Sequence, residues 1–86
     1  MTIYPQDPYV PPAFWQVPVA LSGAALHPGQ TLVLAARNVR ELCSSPRSVS
    51  LQLRARSQDE ALERVTAALE AAEVRVEEIG APIRML

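Results

Sequence analysis

Residues 48–73 constrain this chain more than any other segment. From Ser48 to Arg56, Val49, Leu51, Leu53 and Ala55 alternate with Ser48, Ser50, Gln52, Arg54 and Arg56. A period of two places successive side chains on opposite faces of a strand, so one face is buried and the other polar. Directly after it, Ser57 stands three residues before Glu60, a capping-box spacing, and Asp59 and Glu60 put negative charge in a first helical turn. Leu62, Val65, Leu69 and Ala72, flanked by Ala61 and Ala68, then recur at helical spacing over 58–73. Glu60 and Arg64, at i and i+4, suit a surface pair.

A second strand follows at 74–79, with Val74 and Val76 inward and a bulge or strand end near Glu77. A helix-length connection makes the two strands parallel. Gly80 and Pro82 turn the chain, and residues 83–86 add a short strand or cap the core. Upstream, Trp15, Val17, Val19 and Leu21 alternate through a strand over 15–21. Pro18 donates no ladder hydrogen bond, which places that strand at a sheet edge or marks a bulge. Between 22 and 47 two readings compete. Leu32, Ala35, Ala36, Val39, Leu42 and Cys43 fit a helical stripe over 31–43, with Pro28 in its first turn. Alternatively 32–37 is a strand, and Asn38 with Glu41 caps a short helix. The first reading is preferred, and it gives the order β-α-β-α-β: an α+β fold, a small two-layer sandwich of sheet and helices occupying 15–86.

Residues 1–14 are different in kind. Pro5, Pro8 and Pro11 recur every third residue, the repeat of polyproline II, so this stretch is an extended arm. Tyr4, Tyr9, Phe14 and Trp15 are the only aromatic residues of the chain, and the arm delivers nearly all of them. They are candidates for covering apolar surface of this domain or of a neighbour. Pro-x-x-Pro spacing also suits docking to a protein partner.

Composition narrows the function. The 86 residues carry a net charge of −1, which disfavours a dedicated nucleic-acid binder. All eight basic residues are arginine. Five fall within 31–58 against Glu41, whereas 59–86 hold seven acids against three arginines. Such opposed segments neutralise each other within one fold or pair between copies. The single Cys43 forms no internal disulfide and points to a reducing, cytoplasmic compartment. With one cysteine and one histidine the chain cannot build a four-ligand zinc site, and three scattered glycines make no phosphate loop. No metal, cofactor or catalytic residue is nominated, and no apolar run is long enough to span a membrane. His27 reads as a solvated loop residue and Cys43 as a buried structural thiol.

The segment from Val49 to Leu69, followed by Val74-Arg75-Val76, resembles the second half of ferredoxin-like and ACT-like small domains, in which a strand leads through a capped helix into a last strand. Those folds run β-α-β-β-α-β. Here no strand is evident between the first helix and Val49, so either the first half is rearranged or the helix at 31–43 conceals it. The resemblance implies a regulatory or assembly module, often dimeric.

The expected function is therefore a non-enzymatic module that self-associates as a dimer, using the polar sheet face with Gln52, Arg54 and Arg56 and the aromatics Tyr4, Tyr9, Phe14 and Trp15. Two alternatives stand beside it. One is a domain sensing a small ligand or anion through the arginine stripe, and the other an accessory subunit docking through the proline arm.

Overall fold

A computed structural model describes residues 11–85. The chain forms an α+β fold in the order β1 (Ala13–Leu21), α1 (Pro28–Ala36), β2 (Arg40–Ser45), β3 (Ser48–Ala55), α2 (Gln58–Ala71), β4 (Val76–Ile79) and β5 (Ile83–Arg84). The sheet runs β2-β3-β1-β4, with β5 also paired to β1, and every pairing is antiparallel. The expected order β-α-β-α-β is thus corrected to β-α-β-β-α-β-β. β3 and β4 do run parallel, but β1 lies between them.

The strongest sequence signals hold. β3 and α2 form where alternation and capping place them. Ser57 Oγ accepts the Glu60 N–H at 3.1 Å, although the Glu60 carboxylate receives the Arg56 N–H rather than that of Ser57. Ala61, Val65, Ala68, Leu69 and Ala72 are buried, and the alanines let the helix lie close to the sheet; Leu62 turns outward. With Val17, Val19 and Leu21 of β1 and Val49, Leu51, Leu53 and Ala55 of β3 they form one core. α2 packs on β1 and β3, and α1 packs on α2 and β2. The β1–β4 register passes over Glu77, which is the bulge the sequence indicated.

The region 31–43 is not one helix. α1 starts at Pro28, capped by His27: its Nδ1 accepts the Gln30 N–H, while Gln30 Oε1 accepts the His27 N–H. It ends at Ala36 because Asn38 takes a left-handed conformation with φ 61°. The Asn38 N–H donates to the Ala35 carbonyl and the Val39 N–H to the Leu34 carbonyl, both at 2.9 Å. That pair of bonds is a Schellman ending, and asparagine tolerates its left-handed position better than most residues. Buried Val39 and Leu34 close the turn. The chain then re-enters the sheet as β2, where Cys43 is exposed, not buried. α2 ends the same way, with Glu73 at φ 55° and the Val74 N–H donating to the Leu69 carbonyl.

β1 begins at Ala13 and is an inner strand, not an edge. Pro18 is accommodated because the ladder on the β4/β5 flank breaks beside it: β5 pairs with Trp15 and Gln16, and β4 with Val19 to Leu21. The Pro18 carbonyl faces that gap and accepts the Gly80 N–H at 2.8 Å. The missing proline N–H would point the same way, so no β1–β3 bond is lost.

Candidate functional site

The sheet buries one face only. Opposed residues in an antiparallel pair share a face, so the register maps the other one. Phe14, Gln16, Pro18 and Ala20 of β1 lie beside Arg54, Gln52, Ser50 and Ser48 of β3. Arg40 flanks Gln52 from β2, Ile83 flanks Gln16 from β5, and Glu78 flanks Ala20 from β4. The centre of this face is uncharged, and a shallow hollow bordered by Pro18, Ala20, Ser48, Ser50 and Glu78 lies towards one end. The charges of the face sit at its ends, with Arg54 and Arg40 towards one and Glu78 at the other. From Phe14 to Ala20 is six residues of strand, about 20 Å. Ile83 is 60% and Phe14 47% exposed on this side, so apolar atoms are also left uncovered.

At the basic end β3 outruns β2. β2 starts at Arg40, opposite Gln52, which leaves Leu53 to Ala55 without a partner on that flank. Between the free edge of β3 and the end of α1 lies an open hollow of about 720 Å³. Leu53, Val39 and Ala35 form its apolar floor, and Arg40, Arg54 and Arg64 stand around it with Phe14, Gln52 and Asn38. The Arg64 guanidinium reaches from α2 and donates through Nη1 to the Arg54 carbonyl at 2.6 Å. It does not pair with Glu60, contrary to the i, i+4 expectation. The Arg54 guanidinium lies over the Phe14 ring, 5.3 Å from its centroid, a contact of about 0.5–1 kcal/mol at an exposed site.

The other residues singled out from the sequence fall as follows. Trp15 turns to the helix side, packs against the core and donates its indole N–H to the Ala55 carbonyl at 2.9 Å. It therefore belongs to the fold and not to the open face. Gln52 and Arg54 lie on the open face and also line the hollow. Arg56 follows the end of β3 and leads into α2. Tyr4 and Tyr9, with most of the proline arm, lie outside the described residues. Arg40, Arg64 and Asn38 were not read as site residues: Arg64 was expected to pair with Glu60, and Asn38 entered only as the cap of a short helix. Only Asn38 carried a local signal, as an asparagine placed to end a helix.

Among the described residues, no three histidine, cysteine, aspartate or glutamate side chains are grouped to hold a metal ion. No helix there is long and apolar enough to cross a membrane. No protein-family model, curated protein or solved structure matches this chain.

Proposed function

We propose that the chain is a small ferredoxin-like module that works by self-association, two copies packing open sheet face against open sheet face about a two-fold axis. The ferredoxin-like assignment is supported by the order β1-α1-β2-β3-α2-β4 and the strand arrangement β2-β3-β1-β4, with β5 as an addition. In this reading the module is cytoplasmic and non-enzymatic, and its role is assembly.

The observation that carries the pairing is the charge distribution on that face. A two-fold axis lying between two such faces and passing midway between the Arg54 and Glu78 positions sets Arg54 of each copy against Glu78 of the other. The same residue pair is then made twice, as an isologous interface requires. The uncharged centre supplies a surface that two sheets can meet across at about 10 Å. Eight residues of β3 by four strands cover at most ~500 Å² on each copy, or about 1,000 Å² for the pair. That is the low end of specific interfaces, so the dimer is weak and its population depends on concentration.

Sedimentation equilibrium between roughly 1 µM and 1 mM tests this. The native chain is expected to pass from monomer to dimer in that range. Glu78→Arg weakens pairing at least about tenfold, the loss of one attraction and gain of one repulsion per contact. The double variant Arg54→Glu with Glu78→Arg restores it, since the swap re-creates both contacts. A chain that stays monomeric throughout, or a double variant no better than Glu78→Arg, would overturn the reading.

A further inference from the structure

We infer that the hollow beside the free edge of β3 binds a phosphorylated small molecule carrying a planar ring, a ligand of the nucleoside monophosphate class. The site is assembled by three elements that meet only in space: Arg40 from β2, Arg54 from β3 and Arg64 from α2.

Three features point to an oxyanion. Among the described residues the hollow is lined by three arginines and by no aspartate or glutamate. Among the described residues no ion pair is formed by Arg40, Arg54 or Arg64. Gathering like charges is unfavourable in itself, and an anion between them reverses the sign of that interaction. A phosphate monoester carries close to two negative charges near neutral pH, with three acceptor oxygens to meet the planar forks of several arginines.

Two of the arginines are held in place before any ligand arrives. Arg64 is fixed through one of its five N–H donors by the Arg54 carbonyl, and the remaining donors are left for a ligand. Arg54 rests on the Phe14 ring. Pre-set side chains lose less freedom on binding, which favours affinity. Arg40 is exposed at the start of β2, next to the Schellman ending that brings Asn38 to the rim.

The remaining lining selects the rest of the ligand. Phe14 is about half exposed beside Arg54, so a flat ring has an aromatic and a guanidinium surface to stack on. The side-chain amides of Gln52 and Asn38 offer both donors and acceptors to polar ring atoms. The volume lies within the range of clefts that take small molecules, about 300–1,000 Å³.

The test is calorimetric titration of the full chain at low salt with adenosine 5′-monophosphate, inorganic phosphate and adenosine. The nucleotide is expected to bind, phosphate to bind at least about tenfold more weakly, and adenosine weakest of all. Arg40→Gln with Arg54→Gln raises the nucleotide Kd at least about tenfold, whereas Arg47→Gln with Arg75→Gln removes equal charge elsewhere and leaves it unchanged. Circular dichroism confirms that each variant is folded. If the first double variant is not, Arg40→Gln alone, at an exposed site, carries the comparison with a smaller loss. The proposal is overturned if the nucleotide does not bind, if adenosine binds as well as its phosphate, or if the two double variants weaken binding equally. It does not rest on dimer formation. Pairing and nucleotide compete for Arg54, so Glu78→Arg, at the far end of the sheet, retains or tightens nucleotide binding where pairing is lost, and the two ideas fail separately.

Discussion

Replacing Gly80 by alanine tests how an inner strand accommodates a proline. A Cβ at Gly80 would lie 2.7 Å from Pro18 Cγ and 3.2 Å from the Pro18 carbonyl oxygen. Neither neighbour yields easily: the ring is rigid, and the carbonyl belongs to a strand fixed by β3. Gly80 must therefore retreat, which stretches its 2.8 Å hydrogen bond to that carbonyl. Overpacking of this kind costs about 1–3 kcal/mol, and loss of the bond adds about 0.5–1.5 kcal/mol. A total near 2–4 kcal/mol is a large part of the stability of a domain this small. At about 4–8 °C per kcal/mol, Tm falls by roughly 8–32 °C. Thermal melts and urea titrations followed by circular dichroism measure it, with the m-value expected to stay constant. Pro18→Ala removes the Cγ that the new methyl group meets. In a double-mutant cycle it should recover about 1 kcal/mol of the Gly80→Ala loss. Stability within about 0.5 kcal/mol of the parent, or no coupling in the cycle, refutes the steric argument.

Glu73→Gly is expected to stabilise the fold by up to about 1 kcal/mol, because a non-glycine residue at φ 55° carries a left-handed penalty that glycine does not; a raised Tm in a thermal melt checks it, and a lowered one contradicts it. Cys43 is exposed on β2, so an aromatic disulfide reagent should label one thiol per chain in the folded state without denaturant. Labelling that waits for urea would show the residue covered.

What the sequence revealed and concealed follows from how each element is buried. β3 has β1 along its whole length, β2 beside Ser48 to Gln52 and a helix above it, so every second side chain must be apolar, and the alternation is unmistakable. α2 shows its cap and its stripe for the same reason. β2 has no such obligation. As an edge strand it leaves five of its six residues exposed, so Arg40 to Ser45 carries no period of two, and Val39, Leu42 and Cys43 imitate a helical repeat. Asn38 was the residue that could have broken that repeat, as a helix stop. Pro18 misled in the opposite direction. It argues for an edge only if the neighbouring ladder is continuous, and here the ladder is interrupted by the β4–β5 turn. The arginine hollow was legible only in part. Arg54 stands out on the polar stripe, but Arg40 and Arg64 join it through the crossing of three elements, which no local pattern encodes.

The single tryptophan gives the molecule a built-in optical probe. The Trp15 indole is held by the Ala55 carbonyl, forty residues along the chain. Its fluorescence is therefore governed by a contact that exists only once β1 has found β3. Closing a loop of that length must precede the rewards of the β1–β3 ladder, and such non-local pairings are the slow steps of folding. Emission from one residue should thus follow the formation of the central ladder rather than the earlier coiling of either helix.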